Sequence, residues 1–524
     1  MGAPREAPLA DLARALDLPY LDAVAADPAL FALLPVETAS SLGLLPLREV
    51  EGVLSVAVSD PLDLGLERRL SAITGKRIAL SVAEPEAIAA ALKQVETSRR
   101  VLDRVSASFK PQIVREDGGG KEEVIDLDSL ADQSGVVQLT NSVLMAALQR
   151  TASDVHIEVY ADRLDLKYRI DGVLYPATDP IDVRHHAELV SRIKVMADLD
   201  IAERRVPQDG RFRLRIEGRD VDFRVSVLPT QFGEDVVIRI LDKSGLARLG
   251  QALGLEDLGL EPDDAAAMRR AAREPHGLVL MTGPTGSGKT TTLYGAISEL
   301  ATGAEKIITI EDPIEYQLDG IVQIAVNEKK GMTFASGLRA ILRHDPDRIM
   351  VGEIRDFETA TIAVQAALTG HLVFASVHAN SSFDVISRFA HWGIDLHDFV
   401  SALNGVFAQR LVRKLCPDCA GPAPAPDTAR LGRTVPWPNA APDWRGPQGC
   451  ARCFGTGYLG RAAIVEHLDL SPEIADLMIA RAPAARMRTA ASAQGMRFLR
   501  DSALSLAWRG QTSLAEVDRV TFEP

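Results

Sequence analysis

The sequence predicts a multidomain α/β protein, and three features of the 524-residue chain carry this prediction. A glycine-rich loop at residues 283–290 lies between a strand-like apolar run and a helix-like stretch. Strand-like and helix-like segments alternate from residue 244 to residue 412, which is typical of a mostly parallel, three-layer sheet. Four cysteines, the only ones in the chain, form two C-x-x-C pairs near the C-terminus.

Composition is that of an ordinary globular protein, with 46% hydrophobic and 25% charged residues. The length allows about three or four domains. A formal net charge of −14 argues against non-specific nucleic-acid binding as the main task, because neutralising phosphates requires an excess of Lys and Arg, although a local basic groove stays open. Since the chain has neither a signal-like N-terminus nor an apolar run of about 18 residues, we expect a cytoplasmic protein.

Residues 1–98 are predicted to form a small N-terminal α/β domain. Strand-like runs at 52–58 and 77–82 each precede a helix-like segment, at 63–74 and 85–95 respectively. Residues 99–124 follow, and their glycines and charges indicate a flexible linker.

Residues 125–243 are predicted to form an α+β domain. Helix-like segments at 136–150 and 185–198 accompany alternating apolar and polar runs, two of which are joined by the turn signal Asp171-Gly172. This alternation predicts a sheet with one solvated face. Residues 244–412 then form the βα domain, with strands predicted near 278–282, 306–310, 348–352 and 372–377.

The cysteine-containing segment spans residues 413–460, and residues 461–524 are predicted to be a helical C-terminal segment. In a reducing cytosol the two C-x-x-C pairs favour zinc over disulfides. Four thiolates satisfy the tetrahedral coordination of a structural Zn²⁺ and leave no open position for catalysis. The predicted zinc ligands are Cys416, Cys419, Cys450 and Cys453.

The segment Gly283-Pro-Thr-Gly-Ser-Gly-Lys-Thr290 fits the phosphate-binding pattern G-x-x-x-x-G-K-[ST]. Its glycines allow backbone N–H groups to surround phosphates at a helix N-terminus. Lys289 is expected to reach the β- and γ-phosphates of ATP, and the Thr290 hydroxyl to bind Mg²⁺. The predicted nucleotide-binding residues are Gly283, Pro284, Thr285, Gly286, Ser287, Gly288, Lys289, Thr290 and Thr291.

Two acids follow predicted strands and are candidates for nucleotide hydrolysis. Glu311 follows the strand near 306–310, and Glu353 follows the strand near 348–352. Because the carboxyl ends of parallel strands share one edge of a sheet, both acids are expected near the phosphate loop. Gly352 stands where many such enzymes have Asp, so Glu353 is expected to act alone, through Mg²⁺-bound water or as a base. Glu311 is a candidate to polarise the attacking water, although either acid could instead cap a helix or turn.

Two histidines flank one strand-like run. His378 follows its carboxyl end, where it can hydrogen-bond the γ-phosphate or a catalytic acid and report which nucleotide is bound. His371 precedes the run, and for this residue a catalytic and a structural interpretation both stay open.

Four arginines are candidates to contact the γ-phosphate across a domain or subunit interface. Arg224 and Arg239 lie on predicted strands of the second domain, and Arg339 and Arg343 are one helical turn apart. The alternative for each is an ordinary ion pair with a structural acid.

Taken together, these motifs resemble the type II secretion and type IV pilus assembly ATPases, the GspE/PilB branch of the secretion ATPases. The resemblance covers residues 125–470 firmly and the N-terminal hundred residues loosely. Besides the phosphate loop and the cysteine pairs, it is carried by Ala152-Ser-Asp-Val-His-Ile-Glu158, Pro207-Gln-Asp-Gly-Arg211, Arg224-Val-Ser-Val-Leu-Pro229, Ile310-Glu-Asp-Pro-Ile-Glu315, Leu342-Arg-His-Asp-Pro-Asp-Arg-Ile-Met-Val-Gly-Glu-Ile-Arg-Asp356 and Leu368-Thr-Gly-His-Leu-Val-Phe-Ala-Ser-Val-His378.

The resemblance implies a homo-oligomer, a hexameric ring in which a RecA-like ATPase core follows a PAS-like α+β domain. It also implies that ATP binds between these domains, with the four candidate arginines approaching its phosphates. The implied partners are an inner-membrane platform protein and the cytoplasmic domain of a bitopic inner-membrane secretion component. The protein would then be peripheral to the inner membrane, attached through these partners.

The phosphate loop region 283–294 and residues 409–417 are more similar to the type II secretion members. We therefore expect an ATPase motor that drives pseudopilus assembly and protein export. A type IV pilus assembly ATPase is the alternative within the family. Outside it, a RecA-like nucleic-acid motor and a nucleotide-gated scaffold without hydrolysis remain open.

Overall fold

The computed structural model describes residues 9–16, 18–21, 30, 33–34, 36–50, 52–63, 65–89, 91–92, 112–116, 122–126, 135–216, 219–242, 254–435, 437 and 440–521. The chain divides into two compact units. One consists of residues 1–112 and 125–146, and the other of residues 113–124 and 147–524.

The first unit contains a four-stranded sheet in the order β1-β4-β3-β2. Its strands are β1 (Tyr20–Leu21), β2 (Leu44–Val50), β3 (Val53–Val58) and β4 (Arg77–Ala83), and its helices include α1 (Leu9–Ala15), α2 (Val36–Ser41) and α3 (Leu66–Thr74). β3 and β4 are parallel and are joined through α3, as the sequence predicts. Residues 85–89 and 91–92 are helical, and the rest of the helix predicted over 85–95 lies outside the described residues.

The prediction of a flexible linker over residues 99–124 is wrong in part. Gln112–Glu116 and Glu122–Asp126 are strands β5 and β6, and they extend a nine-stranded sheet. Each segment has only two adjacent apolar residues among polar ones, so the period-two alternation that predicts a strand from sequence is absent. The remainder of the predicted linker lies outside the described residues.

The nine-stranded sheet has the order β10-β8-β7-β13-β12-β11-β5-β6, with β9 also paired to β8. The remaining strands are β7 (Asp154–Val159), β8 (Arg163–Ile170), β9 (Val173–Pro176), β10 (Ile181–Asp182), β11 (Gln208–Ile216), β12 (Arg219–Pro229) and β13 (Glu234–Asp242). Buried residues alternate along them, as in Phe212, Leu214 and Ile216, so the expected solvated face is present. Helix α4 (Gly135–Gln149) precedes β7 in the chain, and helix α5 (His186–Met196) lies between β10 and β11 in the chain, both near the predicted positions.

A seven-stranded sheet in the order β16-β15-β17-β18-β14-β19-β22 follows. Its strands are β14 (Gly277–Thr282), β15 (Ile307–Glu311), β16 (Val322–Ala325), β17 (Arg348–Val351), β18 (Leu372–Val377), β19 (Leu403–Leu415) and β22 (Tyr458–Leu468). The four predicted strands correspond to β14, β15, β17 and β18. All neighbours are parallel except β19 and β22.

Helices cover both faces of this sheet, which confirms the predicted three-layer architecture. They are α6 (Pro262–Ala272), α7 (Lys289–Ser298), α8 (Phe334–Ile341), α9 (Phe357–Leu368), α10 (Ser382–His391) and α11 (Leu396–Ala402). Alternate residues of β14 enter opposite cores, Leu278 and Leu280 on one face and Val279 and Met281 on the other.

The prediction of a helical segment over residues 461–524 is wrong at its start, because most of β22 lies there and completes the sheet beside β19. Four helices then follow, α12 (Pro472–Ile479), α13 (Ala484–Ala493), α14 (Leu499–Trp508) and α15 (Leu514–Val520). The apolar run Ala462-Ala-Ile-Val465 is buried on both sides, and such a run suits a buried strand as well as a helix.

The cysteine segment contains a short antiparallel pair, β20 (Gly421–Pro422) and β21 (Arg445–Gly446). Trp437 stacks on Trp508 of α14 with ring centroids 4.6 Å apart, and Trp444 packs edge-on against Trp508 at 5.6 Å. These aromatic contacts anchor the Ala/Pro-rich spacer to the C-terminal helices. Among the described residues, no helix combines the length and apolarity needed to cross a membrane.

Candidate nucleotide and metal sites

The phosphate loop joins β14 to α7 at the carboxyl edge of the seven-stranded sheet. Gly283 and Gly288 have φ angles of 147° and 84°, which residues other than glycine rarely adopt. A Cβ at Gly283 would lie 2.4 Å from the Gln409 carbonyl oxygen, and one at Gly288 would lie 2.9 Å from Gln409 Nε2. The loop therefore requires glycine at both positions, because β19 approaches it closely.

Lys289 is the first residue of α7 and is 8% exposed. Its Nζ donates hydrogen bonds to the carbonyl oxygens of Gly283 at 2.8 Å and Pro284 at 3.2 Å, so the ammonium lies against the loop itself. Burial lowers the pKa of Lys289, and the nearby Glu353 carboxylate opposes that shift. A buried cation without a direct ion pair among the described residues is well suited to an anionic ligand. Thr290, the proposed Mg²⁺ ligand, follows it and is half-buried.

Glu353 follows β17 and forms the centre of an ionic cluster beside this loop. Its Oε1 lies 2.8 Å from His378 Nε2, and its Oε2 lies 2.9 Å from Arg355 Nε. Burial lowers the pKa of His378, and the Lys289 and Arg355 charges lower it further while Glu353 raises it. The predicted convergence of Glu353, His378 and Lys289 at one sheet edge is therefore present.

The end of β14 is also tied to the segment after His378. Thr282 Oγ1 donates to the Ala379 carbonyl oxygen and accepts from the Ala379 N–H, both at 2.9 Å. A shift of the phosphate loop is thus coupled to the His378 segment through two hydrogen bonds.

Glu311 ends β15, but its side chain is placed differently from the prediction. The residue is 2% exposed, and its carboxylate accepts hydrogen bonds from Tyr294, Thr309 and Gln323. The carboxylate therefore does not face solvent in this conformation. At the neighbouring Gly352, an added Cβ would lie 3.2 Å from the Ile310 carbonyl oxygen and 3.3 Å from Glu311 Cα, so a side chain such as that of Asp would be crowded there.

His371 lies at the opposite end of β18 from His378. Its Nδ1 is 3.2 Å from the Ala366 carbonyl oxygen, and its own carbonyl oxygen accepts from Gly277 N at the amino end of β14. The length of β18 separates it from the phosphate loop by about 20 Å. This placement contradicts a catalytic role for His371 at the phosphate loop of the same chain, and its local contacts favour the structural interpretation.

Arg224 and Arg239 lie directly opposite each other on β12 and β13, and Arg211 on β11 lies opposite Arg224. Arg239 Nε donates to Asp154 Oδ1 at 3.0 Å, whereas Arg211 and Arg224 contact no acid within the described part of the chain. Like charges at opposed positions are destabilising. On the same face, Arg213 and Arg215 are paired with Asp222 and Asp220. Arg211, Arg224 and Arg239 therefore form a row of arginines in which only Arg239 is paired with an acid among the described residues, and this row is a candidate anion-binding surface.

Arg211 is not among the site residues that the sequence predicts. Its motif Pro207-Gln-Asp-Gly-Arg211 is visible in the sequence, but only the strand register shows that Arg211 is adjacent to Arg224.

Arg339 pairs with Glu358 on the exposed surface, and Arg343 Nη1 donates to the Arg339 carbonyl oxygen at 2.9 Å. In the described residues no contact joins Arg339 or Arg343 to the phosphate loop.

The four cysteines converge, with all their Sγ atoms within 4.8 Å of one another. Cys416 and Cys450 Sγ are 3.8 Å apart, as are Cys419 and Cys453 Sγ, which is too far for disulfides. Tetrahedral thiolates about 2.3 Å from Zn²⁺ lie about 3.8 Å apart. The backbone N–H groups of Cys450 and Gly457 also donate to Cys453 Sγ, as expected around a charged sulfur. The donor set fits zinc.

These features define the protein as a P-loop nucleotide-binding protein with a RecA-like sheet and a tetracysteine module. A family model described as "Type II/IV secretion system protein" matches residues 129–519, and an "MshEN domain" model matches residues 16–102. The chain therefore belongs to the type II/IV secretion system protein family, which confirms the resemblance to the GspE/PilB branch.

Individual relatives agree with this membership. The chain is 46% identical over 405 residues to "Type II secretion system protein E" of Aeromonas hydrophila, covering 77% of this chain and 78% of that protein. It is 40% identical over 509 residues to "Type IV pilus assembly ATPase PilB" of Myxococcus xanthus, covering 94% and 86%. The ATPase DotB of Legionella pneumophila shares the fold, with a TM-score of 0.51 at 20% identity over 73% of this chain and 95% of that one.

Replacing Cys416 by Ser is expected to abolish zinc binding, because a structural site needs all four ligands. Elemental analysis of the purified protein measures this, with about one zinc per chain expected in the unchanged protein. Asp418→Asn, a change at an exposed position between Cys416 and Cys419, should retain the ion. Purified unchanged protein without bound zinc would contradict the assignment.

Proposed function

We propose that this protein is an Mg²⁺-dependent ATPase motor that drives pseudopilus assembly and protein export by a type II secretion system. The observation that carries the proposal is the contact of Glu353 with His378 beside the buried Lys289 ammonium. This edge of the sheet offers a phosphate cradle, a cation and a carboxylate within one cluster. The 46% identical secretion proteins support the transport role.

Each residue of the cluster has a distinct task in ATP hydrolysis. The loop N–H groups and Lys289 hold the phosphates and stabilise charge that develops on them. Thr290 and Glu353 would hold Mg²⁺, which supplies charge neutralisation at the phosphates. Glu353 has acceptor positions left after binding His378 and Arg355, so it can also orient water. His378 fixes the Glu353 carboxylate and connects it to the phosphate loop through Ala379 and Thr282.

The row of Arg211, Arg224 and Arg239 supports a homo-oligomer. In such an oligomer, ATP bound to a second copy of the chain would be the anion that contacts these arginines. Arg211 and Arg224 are exposed and face each other without an acid, so ATP phosphates of a neighbouring subunit would relieve their repulsion. We propose a hexameric ring on this basis and from family membership, in which Arg339 and Arg343 approach the phosphates only after subunit contact.

We further propose that the motor works in the cytoplasm, peripheral to the inner membrane. Its partners would be an inner-membrane platform protein and the cytoplasmic domain of a bitopic secretion component. The zinc module would stiffen the surface that meets such a partner. Nucleic acid is not an expected partner, given the net charge of −14.

A type IV pilus assembly ATPase is the second candidate, and alignment length favours it. The PilB relative matches 94% of this chain, whereas the Aeromonas secretion protein matches 77% at higher identity. Deleting the gene in its source organism separates the two functions. Loss of exported enzymes with normal pili supports secretion, and loss of pili with normal export supports pilus assembly.

Lys289→Ala is expected to abolish ATP hydrolysis, because it removes the cation that contacts the β- and γ-phosphates. Phosphate release by the purified oligomer measures this change. Lys329→Ala, at an exposed position in the same domain, is the matched control and should keep the unchanged rate. Hydrolysis by Lys289→Ala at the unchanged rate would refute the ATPase assignment.

Glu353→Gln should lower kcat by roughly 10²-fold or more while ATP still binds, because a general base or water-orienting carboxylate contributes on that scale. Nucleotide titration and turnover are measured on the same preparation. Glu328→Gln, at an exposed position, serves as the control. If the unchanged protein binds ATP without turnover, the non-hydrolysing scaffold is correct instead.

Arg211→Ala is expected to lower the turnover of the assembled oligomer by at least roughly ten-fold, since an arginine brought in from a neighbour stabilises transition-state charge. ATP binding to the dissociated subunit should not change. Arg213→Ala is the control, because Arg213 already pairs with Asp222. Equal turnover in the two variants would exclude Arg211 from the nucleotide site.

A further inference from the structure

A buried hydrogen-bond network surrounds the carboxylate of Glu311, one strand away from Glu353. The Tyr294 hydroxyl donates to Oε2 of Glu311, and Thr309 Oγ1 donates to Oε1 at 2.5 Å. Gln323 Nε2 also donates to Oε1, at 3.2 Å. Both oxygens therefore accept hydrogen bonds from neutral donors, and the whole residue is only 2% exposed.

Tyr294 belongs to α7, the helix that begins at Lys289. Its side chain is fully buried, and its ring packs edge-on against Tyr316 with centroids 4.7 Å apart. Burial raises the pKa of Tyr294, and the hydrogen bond to Glu311 raises it further, so the hydroxyl stays protonated and able to donate. The network thus connects the phosphate-loop helix directly to the tip of β15.

This arrangement conflicts with the task of polarising water. A carboxylate that orients an attacking water must present a free lone pair within hydrogen-bond reach of it. Glu311 presents none to solvent here, so it must first exchange at least one protein donor for water. The residue beside Glu311 on the adjacent strand tip, Gly352, carries no side chain, and Glu353 is the next residue.

We propose that Tyr294 is a positioning residue that holds Glu311 withdrawn from water, and that movement of α7 relative to β15 releases it for hydrolysis. Lys289 and Tyr294 are five residues apart on one helix, or about 7.5 Å along its axis. A rigid shift of α7 caused by phosphate contacts at Lys289 would therefore also move the Tyr294 hydroxyl. The proposal rests on the ATPase function proposed above.

Gln323 extends the same network to the edge of the sheet. It lies on β16, and its Oε1 accepts from Leu318 N at 2.8 Å while its Nε2 also donates to the Tyr316 carbonyl oxygen at 3.1 Å. Release of Glu311 therefore also depends on the loop between β15 and β16. A contact that displaces this edge strand would act on the same carboxylate.

Tyr294→Phe tests the proposal, because it removes the hydroxyl and keeps the ring that packs on Tyr316. Steady-state hydrolysis by the full-length oligomer should show kcat raised by roughly ten-fold, the scale of one hydrogen bond to a charged group. The KM for ATP should stay unchanged, because Tyr294 does not touch the phosphate loop. A destabilised core would lower kcat and the melting temperature instead.

Two control variants make the result specific, and a third variant replaces Tyr294→Phe if that protein does not fold. Tyr316→Phe is the matched control, because the Tyr316 hydroxyl is buried and has no hydrogen-bond partner among the described residues, so its removal should leave kcat unchanged. The double variant Tyr294→Phe with Glu311→Gln should be no faster than Glu311→Gln alone, because the gain acts only through the Glu311 carboxylate. If Tyr294→Phe fails to fold, Thr309→Val removes a second donor at constant shape and should also raise kcat.

A lowered or unchanged kcat in folded Tyr294→Phe would overturn the proposal, as would an equal gain in the Glu311→Gln background. Neither result would affect the ATPase assignment, which fails only if Lys289→Ala hydrolyses ATP normally. The two failures are therefore distinguishable.

Discussion

The burial of one ammonium group, that of Lys289, is the constraint on which the rest of the site depends. A cation that is 8% exposed needs compensating dipoles, and the loop carbonyl oxygens of Gly283 and Pro284 supply them. The backbone can present those oxygens only because Gly283 and Gly288 adopt conformations that other residues rarely reach. The two glycines are also required by the close approach of Gln409 on β19, so the burial of Lys289 and the packing of β19 depend on the same loop conformation.

Near this cation, two acids at the ends of neighbouring parallel strands point in different directions. Glu353 leaves β17 towards His378 and Lys289 and stays partly accessible. Glu311 leaves β15 into a buried network of neutral donors. The two acids occupy adjacent strand tips and yet have different environments, which allows one to bind ligand directly and the other to be released by movement.

The sequence was sufficient to predict the phosphate loop, four central strands, the convergence of Glu353 on Lys289 and the clustering of the cysteines, because each depends on local pattern or short spacing. It could not predict the inward orientation of Glu311, which depends on Tyr294 and Gln323 from other elements. Likewise, the register of β11 with β12 is needed to place Arg211 beside Arg224. Strand polarity decides that His371 and His378 lie at opposite sheet edges.

A structure of the protein with a non-hydrolysable ATP analogue and Mg²⁺ would show whether the buried Lys289 ammonium is the phosphate ligand. In that structure Lys289 Nζ is expected to exchange the Gly283 and Pro284 carbonyl oxygens for β- and γ-phosphate oxygens, with Glu353 on the γ-phosphate side. Phosphates bound elsewhere, with Lys289 still held by the loop carbonyl oxygens, would contradict it.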